Sequence, residues 1–291
     1  MRWKLLASVC LMAALAQASV GPKGHLVIIG GGGSTPAIDR AMVDLAGGTN
    51  AVLLAITTAG GANGFKAGEG FVKHFSKLGA ASVKWAQPTR AESDDPQYVE
   101  KLLKGVTGIF FTGGSQRRIT TEHRGTLLHR KMLELYENGG MISGSSAGAA
   151  MMSDPMITGT IKGKPEVEKN GQPVSDVFRS IAKDRVETVG GMGFIKGAII
   201  DQHFVKRGRE NRLFSVALEN PSYTCFGLDE STAIVVSNGN QIKVLGKSNV
   251  IAIPPRKAPI KTNRQGDFGT SELKISLLLE GDTWKLEEIK N

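Results

Sequence analysis

A serine at the centre of a glycine-flanked pentapeptide is the first residue whose surroundings indicate chemistry. The stretch Gly144-Ser145-Ser146-Ala147-Gly148 follows a segment typical of a short strand and precedes a small apolar segment typical of a buried helix start. The spacing G-x-S-x-G between a strand and a helix is that of a nucleophile elbow, a strained turn that exposes a serine hydroxyl at the end of a sheet. We expect the N–H of Ala147 to point towards a developing oxyanion. A tight turn of small residues without chemistry is the alternative interpretation.

A serine nucleophile needs a base, and the base needs a group that orients it. The candidate bases are the five histidines, His25, His74, His123, His129 and His203. Only His203 follows a buried apolar strand, at the edge where the carboxyl ends of parallel strands would meet. Glu230, with Asp229 before it, follows a later strand in the same way. The order serine, histidine, acid is not that of the α/β-hydrolases, but a triad is defined by geometry rather than by order.

A metal site and a nucleotide site are the two alternatives that these segments leave open. Asp201 and His203 could ligate a metal, but a metal site needs further His or Cys ligands, and none lies nearby in the sequence. The glycine run at 30–33 could bind phosphate, but it is followed neither by G-x-G-x-x-G with a ribose-binding acid nor by G-K-[ST]. We therefore expect no cofactor and no metal.

The elements that must position these residues alternate between strands and helices. Strands are predicted at 25–29, 51–56, 82–85, 108–112, 139–143, 194–200 and 224–228, and helices at 65–78, 98–103, 126–138 and 213–218, with another beginning at Pro36. This alternation predicts an α/β fold with a mostly parallel sheet and helices on both faces, whose site lies at the carboxyl ends of the strands. Segments 233–236, 241–245 and 248–253 predict a C-terminal β meander, and 275–279 predicts an edge strand.

The first 18 residues have the pattern of a secretory signal peptide. A basic start precedes an apolar run at 5–15 and the cleavage pattern Ala16-Gln17-Ala18. The run is too short for a membrane anchor. We expect cleavage after Ala18, one α/β domain over 19–291, no membrane association afterwards, and a secreted location, either periplasmic or extracellular.

Cleavage changes the charge and the cysteine content of the chain. It removes Arg2 and Lys4, which lowers the formal charge from +9 to +7, and it removes Cys10, which leaves Cys225 without a partner for an internal disulfide. The remaining basic residues are scattered, with few aromatic residues between them, so we expect no nucleic-acid surface. The net positive charge of the chain is still suited to an acidic substrate or polymer. A polar block at 158–188 is interpreted as a loop or lid.

Four longer motifs identify a family. They are Gly113-Gly114-x-Gln116, Gly144-x-Ser146-Ala147-Gly148-Ala149, Asp201-Gln202-His203-Phe204-x-x-Arg207-x-Arg209-x-x-Arg212-Leu213 and Gly227-Leu228-Asp229-Glu230-x-Thr232-Ala233. Together they resemble the motifs of the cyanophycinases, serine exopeptidases of peptidase family S51 that are related to aspartyl dipeptidases. The resemblance implies a fold like that of the class I glutamine amidotransferases, which is flavodoxin-like, and a homodimer. It also implies hydrolysis of cyanophycin, a poly-aspartate with arginine on each side chain, to β-Asp-Arg dipeptides through an acyl-enzyme.

The resemblance assigns a role to each matching position. It makes Ser146 the nucleophile, His203 the general base and Glu230 its orienting acid, and it gives the oxyanion hole to the N–H groups of Gly114 and Ala147. The residues that it assigns to substrate binding are Gln116, Asp201, Gln202, Arg207, Arg209 and Arg212.

Two details of the sequence affect which residues are expected to bind the substrate. Helical spacing puts Arg209 and Arg212 on one face and Arg207 off it, which predicts a structural role for at least one of them. The chain has Ser115 where the family commonly has Asp, a change that would affect a guanidinium subsite and leave the triad intact.

Two further functions stay open on the same fold. One is an S51 aspartyl dipeptidase that acts on small acidic peptides. The other is a non-catalytic protein that binds a peptide or polymer. The arginines after His203 favour the polymer, and the presence of all three triad residue types argues against a protein that only binds.

Overall fold

The computed structural model describes residues 21–161 and 180–287. The signal peptide predicted at 1–18 lies outside these residues, as does most of the polar block at 158–188. None of the described helices is long and apolar enough to cross a bilayer.

Strands and helices alternate through the first half of the described chain, as predicted. The strands are β1 (His25–Ile29), β2 (Val52–Ile56), β3 (Ser82–Ala86), β4 (Gly108–Phe111), β5 (Met141–Ser145), β6 (Met156–Ile161), β7 (Val186–Val189), β8 (Ala198–Gln202), β9 (Thr224–Leu228), β10 (Thr232–Ser237), β11 (Gln241–Gly246), β12 (Val250–Ile253), β13 (Ile260–Thr262), β14 (Phe268–Thr270), β15 (Ser276–Leu278) and β16 (Thr283–Lys285). The helices are α1 (Pro36–Leu45), α2 (Gly64–Ser76), α3 (Arg90–Asp94), α4 (Pro96–Leu103), α5 (Gln116–His123), α6 (Leu127–Glu137), α7 (Ala147–Ala150) and α8 (Glu210–Glu219). Helices α3 and α5 were not among the sequence predictions.

The larger of the main sheets has eight strands in the order β16-β11-β10-β1-β5-β4-β2-β3. The five strands from β1 to β3 in that order are parallel. The three on the other side of β1 are antiparallel. The predicted mostly parallel sheet is therefore confirmed, and the carboxyl ends of its five parallel strands lie along one edge.

Strand β1 shows why both faces of this sheet are covered. Its residues alternate between two hydrophobic clusters because successive side chains of a strand point to opposite faces. Val27 and Ile29 pack in the cluster that contains residues of α1 and α2. Leu26 and Ile28 pack in the cluster that contains residues of α6 and of a second sheet. The predicted helices on both faces are thus present.

The second sheet has four strands in the order β15-β12-β9-β8. Strands β8 and β9 are parallel, whereas β12 runs antiparallel to both of its neighbours. Helix α8 covers one face of this sheet, where Leu213 and Val216 pack with Ile199 and Cys225.

The predicted C-terminal meander is formed in two of its three segments. Strands β10 and β11 pair as a hairpin, but β12 joins the second sheet instead of extending that hairpin. The burial patterns explain the difference. All four side chains of β12 are buried, so both of its faces need cover, whereas β11 has exposed side chains at Gln241 and Lys243.

Candidate active site

Ser146 lies in the strand–turn–helix geometry that the pentapeptide predicts. It follows β5 directly, precedes α7, and has φ 57° and ψ −110°, a conformation that is strained for a residue with a side chain. Its N–H donates to the Ile29 carbonyl at 3.0 Å. Gly144 and Gly148 are required on either side, because a Cβ on the first would meet the Gly148 carbonyl and a Cβ on the second would meet the Phe111 carbonyl.

A hydrogen-bonded chain runs from Ser146 through His203 to Glu230. His203 Nε2 is 2.8 Å from Ser146 Oγ, and His203 Nδ1 is 2.7 Å from Glu230 Oε1. Because a carboxylate only accepts hydrogen bonds, Nδ1 is assigned the proton, and Nε2 then accepts from the serine hydroxyl. This is the hydrogen-bonding pattern of a nucleophile, its base and the group that orients the base.

The three side chains come from two different sheets. Ser146 follows β5 of the larger sheet, whereas His203 follows β8 and Glu230 comes two residues after β9, both strands of the second sheet. The site therefore lies where the two sheets meet, and not at the edge of one sheet as the sequence predicted.

The glycine run at 30–33 joins the two sheets at this point. Gly30 accepts a hydrogen bond from the His203 N–H at 2.7 Å, and Gly31 accepts one from the Ser231 N–H at 2.8 Å. A Cβ on Gly31 would lie 2.5 Å from His203 Nε2, and one on Gly32 would lie 2.5 Å from the Glu230 Cβ. The glycines are needed because the backbone passes directly over the histidine and the acid. The sequence alone does not predict these contacts with His203 and Glu230.

The surroundings of His203 favour its neutral form. Burial is the main cause that lowers the pKa of its imidazole below 6.5, and the nearby charges of Arg207 and Arg209 lower this pKa further. The hydrogen bond to Glu230 and the charge of that carboxylate act in the opposite direction. An imidazole that is neutral near pH 7 can accept a proton from the serine hydroxyl.

The residues predicted for the oxyanion hole lie on either side of Ser146. Ala147 is the first residue of α7, where N–H groups have no acceptor within the helix. On the other side, a Cβ on Gly113 would lie 3.4 Å from the Ser146 Cβ. Gly114 follows with φ +139°, and the next N–H, that of Ser115, donates to the Ala59 carbonyl at 2.9 Å. The role of Gly114 and Ala147 as donors to an oxyanion stays a prediction.

Asp201 and Arg212 are buried against each other beneath this site. Arg212 Nε donates to Asp201 Oδ2 at 2.8 Å, and Arg212 Nη2 also pairs with Asp201. Each residue is 1% exposed, and Arg209 beside them is 3% exposed. This placement differs from the expected contact with substrate, because side chains that are enclosed in this way present almost no surface to a ligand.

The same buried charges hold the backbone that precedes His203. Arg209 Nη1 donates to the Gln202 carbonyl at 2.6 Å, and Asp201 Oδ1 accepts from the Gln202 N–H at 2.7 Å. His203 itself has φ 46°, a conformation that its surroundings must enforce. Asp201, Arg209 and Arg212 thus fix the peptide that carries the imidazole.

The other residues predicted to bind substrate lie closer to the surface or to the serine. Gln202 Oε1 is 3.5 Å from Ser146 Oγ. Arg207 is exposed, and its charge acts on His203. Gln116 is mostly buried, and its amide donates to the carbonyls of Ile157 and Thr158 at 3.1 and 2.9 Å.

The remaining histidines lie in other surroundings. Their side chains contact structural partners: His25 with Ser237, His74 with Asp39, His123 with Thr58 and Ser93, and His129 with the Met192 carbonyl. Within residues 21–161 and 180–287, no group of three or more His, Cys, Asp or Glu side chains could hold a metal ion.

Comparisons with known proteins agree on one family. A family model described as peptidase family S51 matches residues 26–244. The chain is 29% identical over 227 residues to a cyanophycinase of Nostoc sp. (strain PCC 7120), which covers 74% of this chain and 69% of that protein. It is also 29% identical over 245 residues to a cyanophycinase of Geminocystis herdmanii, and this match covers 82% of this chain and 84% of that protein. Among solved structures, a peptidase from an acI-B1 Actinobacterium has the same fold, with a TM-score of 0.63 and 21% identity over 91% of this chain and 98% of that one.

Proposed function

The chain belongs to peptidase family S51, and on this premise we propose that it is an exported serine exopeptidase that hydrolyses cyanophycin to β-Asp-Arg dipeptides. The observation that carries the proposal is the hydrogen-bonded chain from Ser146 through His203 to Glu230 at a nucleophile elbow. The similarity to cyanophycinases over most of the chain supports the substrate.

In the proposed mechanism Ser146 attacks the carbonyl carbon of the scissile amide. His203 Nε2 takes the hydroxyl proton as the new C–O bond forms, and Glu230 stabilises the imidazolium through Nδ1. The lowered pKa of His203 supports this role, because the neutral imidazole is the form that accepts a proton. The hydrogen bond at 2.8 Å is already within the distance that proton transfer requires.

The tetrahedral intermediate then collapses to an acyl-enzyme. The carbonyl oxygen carries a negative charge, which the N–H groups of Gly114 and Ala147 would stabilise. His203 gives its proton to the leaving amine nitrogen as the C–N bond breaks. Water next attacks the acyl-Ser146 ester with His203 again as base, and the serine hydroxyl is released together with a carboxylic acid.

The residues around the serine suit a substrate that carries both charges. Cyanophycin presents carboxylates and guanidinium groups, and the exposed Arg207 beside His203 is suited to bind a carboxylate through paired N–H donors. The amide of Gln202 near Ser146 Oγ can bind polar groups at the reacting end. We assign Asp201, Arg209 and Arg212 to positioning instead, because they are buried.

Export is the second part of the proposal. It rests on the basic start, the apolar run and the cleavage pattern of residues 1–18. Expression of the full chain in a bacterial host, followed by fractionation and N-terminal sequencing, tests it. The expected product begins at Ser19 and lies outside the cytoplasm, whereas an intact N-terminus in the cytoplasm would contradict export.

The experiment for the activity compares the purified protein with two serine variants on suspended cyanophycin. We expect soluble β-Asp-Arg from the wild type and a loss of at least about 10³-fold in kcat for Ser146→Ala, because the nucleophile is removed. Ser145→Ala is the matched control, since this neighbour ends β5 whereas the hydrogen bond to His203 Nε2 comes from Ser146, and it should retain activity.

The same assay separates the alternative functions. If the wild type leaves the polymer intact but cleaves short aspartyl peptides, the enzyme is an aspartyl dipeptidase. If it cleaves neither but sediments with the polymer, the catalytic proposal is wrong. If Ser146→Ala remains active on either substrate, the assignment of the nucleophile is wrong.

A further inference from the structure

Arg118 is an exposed arginine on α5 whose guanidinium lies against the loop that follows β2. Its Nη1 donates to the Ala59 carbonyl at 2.8 Å, and a Cβ on Gly61 would lie 2.9 Å from the same nitrogen. Gly61 has φ +54°, so a glycine suits the backbone here and also leaves room for the guanidinium. Among the described residues, Nε and Nη2 of Arg118 have no hydrogen-bond partner. The guanidinium is therefore held at one nitrogen and can donate to a ligand from the others.

The same loop holds the backbone that is predicted to form the oxyanion hole. The Ala59 carbonyl accepts a second hydrogen bond, from the Ser115 N–H at 2.9 Å, and a Cβ on Gly114 would lie 2.1 Å from this oxygen. Gly113, the residue before Gly114, lies against Ser146. One carbonyl oxygen thus joins the guanidinium of Arg118 to the segment beside the serine.

The strand order places Arg118 on the opposite side of Ser146 from His203. The carboxyl ends of β1, β5, β4 and β2 follow one another along the edge of the larger sheet. The loop after β1 contacts His203, Ser146 follows β5, and Arg118 contacts the loop after β2. Arg207, whose charge acts on the imidazole, lies on the His203 side. Two exposed arginines therefore flank the serine, one on each side.

Arg118 differs from its neighbour Arg117 in its charge partner. Arg117 forms an ion pair with Glu187, whereas Arg118 has no ion pair with any residue that the structure describes. Ser115, three residues before Arg118 and thus close to it on the helix, is uncharged. A guanidinium that is held in place without a counter-charge is suited to bind a carboxylate through paired N–H donors.

We propose that Arg118 determines specificity by binding a carboxylate on the acyl side of the scissile amide, an inference that rests on the proposed peptidase function. His203 gives its proton to the leaving amine, so the leaving portion lies on the His203 side and the acyl portion extends towards Arg118. Cyanophycin meets this requirement on both sides, because each of its aspartates carries an arginine with a free carboxyl group. Arg207 is then placed to bind the carboxylate of the leaving portion.

The first test compares three dimers of aspartate joined through the backbone. The parent has arginine on both side chains, and the other two have agmatine, which is arginine without its carboxyl group, on the acyl side or on the leaving side. In the wild type, acyl-side agmatine should lower kcat/KM about 10- to 100-fold, since a charge-assisted hydrogen bond is lost. In Arg118→Gln the parent should be cleaved with this lowered kcat/KM, and acyl-side agmatine should have no further effect.

The dimer with leaving-side agmatine distinguishes recognition from support of the loop. Its kcat/KM relative to the parent should be the same in Arg118→Gln as in the wild type, because Arg118 does not contact that carboxylate. If Arg118→Gln lowers kcat/KM by one common factor on all three dimers, Arg118 only supports the loop and the proposal is wrong. An unchanged kcat/KM on the parent would overturn it as well.

Two further variants serve as controls. Arg40 is a matched arginine, because it is exposed and its Nη1 also donates to a backbone carbonyl, that of Leu78 at 3.3 Å. Arg40→Gln should keep the wild-type kcat/KM on all three dimers, and a loss like that of Arg118→Gln would contradict a specific role for Arg118. Arg118→Lys keeps the charge without the paired donors, so it should recover part of the preference for the acyl-side carboxylate.

Binding to protein that carries Ser146→Ala separates this proposal from the proposed function. By calorimetry, Ser146→Ala should bind the parent dimer about 10- to 100-fold more tightly than the dimer with acyl-side agmatine, and Ser146→Ala/Arg118→Gln should bind both equally. If the wild type cleaves no dimer but this difference in Kd is present, only the peptidase function is wrong. If the wild type cleaves the parent but the difference is absent, only the role of Arg118 is wrong. The absence of both cleavage and binding would overturn both.

Discussion

At the scale of single residues, the site combines strained backbone with hydrogen bonds that hold it in place. Ser146, His203 and Ser231 all have positive φ values, at 57°, 46° and 54°. Such conformations cost about 1–3 kcal/mol each and persist only where the surroundings enforce them. Here the enforcing contacts are known: the Ser146 N–H bonds to Ile29, the His203 N–H to Gly30, and the Ser231 N–H to Gly31.

Removal of the Glu230 charge should reduce activity and shift its pH dependence. In Glu230→Gln we expect a fall of about 10²- to 10⁴-fold in kcat, because the amide neither holds the imidazole tautomer nor stabilises its charge. The wild-type acid limb of kcat/KM should lie below pH 6.5, since burial lowers the pKa of His203. Glu230 raises this pKa, so the variant limb should move to still lower pH. A pH–rate profile checks both effects, and an unchanged plateau would contradict the role of Glu230.

Arg207 and Arg209 should differ in which kinetic constant they affect. Arg209→Lys should mainly lower kcat, because Arg209 fixes the Gln202 carbonyl beside His203. Arg207→Lys should mainly raise KM, because the exposed guanidinium is proposed to bind a substrate carboxylate. Steady-state kinetics on a soluble aspartyl-arginine substrate separates the two. A raised KM with unchanged kcat for Arg209→Lys would indicate instead that Arg209 binds the substrate.

At the scale of elements, the loop after β1 connects the two sheets beside His203 and Glu230. Gly31 and Gly32 pack against His203 and Glu230, and the Gly30 and Gly31 carbonyls accept hydrogen bonds from the N–H groups of His203 and Ser231, which follow β8 and β9. The loop therefore determines how His203 lies relative to Ser146.

Two glycines of this loop give a matched pair of substitutions. Gly31→Ala and Gly33→Ala both place a side chain at positive φ, +111° and +93°, so both carry backbone strain. Only Gly31→Ala places a Cβ against the His203 imidazole, whereas the space around Gly33 is open. We expect a loss of about 10²-fold in kcat for Gly31→Ala and a much smaller loss for Gly33→Ala. Equal losses would show that strain alone, and not the contact with His203, is responsible.

Helix α5 is fixed to its neighbours by a buried histidine, which should make stability depend on pH. His123 bonds to Thr58 and Ser93, both at 2.9 Å, and burial lowers its pKa to about 4, with smaller contributions from the charges of His129 and Arg90. Since the unfolded state binds the proton more readily, the free energy of unfolding should fall as pH drops from 6.5 towards 4. The loss amounts to up to about 3 kcal/mol.

Denaturant unfolding across this pH range measures the dependence on His123. In His123→Gln the slope of unfolding free energy against pH should be smaller over the same window, because the titrating group is absent. A slope equal to that of the wild type would assign the pH dependence to other groups.

At the scale of the whole molecule, one hydrophobic cluster joins the two sheets. It contains Ile28 and Ile142 of the larger sheet together with Ile200 and Phe226 of the second sheet. The two sheets therefore share a core, and the site at their junction is stable only while both are folded.

Cys225 should report the opening of the second sheet. It lies fully buried in β9, and burial strongly raises the pKa of its thiol, so the native protein should not react with a thiol reagent. After denaturation, one thiol per chain is expected if the first 18 residues have been removed, and two if Cys10 is retained. Fast labelling of the native protein would contradict the buried placement of Cys225.

The sequence by itself determined the features that depend on local hydrophobic pattern and on residue type. The pentapeptide around Ser146 predicted a strand–turn–helix, and alternating apolar segments predicted the parallel sheet with helices on both faces. Both are confirmed, since they depend on residues close together in the chain. His203 and Glu230 are predicted because each follows a buried strand, and the structure places His203 beside Ser146 and Glu230 beside His203.

Only the tertiary structure decided what depends on pairing between distant segments. It placed β8, β9 and β12 in a second sheet, brought the glycine run at 30–33 against His203 and Glu230, and buried Asp201 with Arg212. A strand pattern shows that a segment is buried but not which strand it joins, because its side chains fit several apolar surfaces equally well. Likewise, the sequence does not show whether a charged side chain will face solvent or a buried partner, because that depends on which distant residue packs against it.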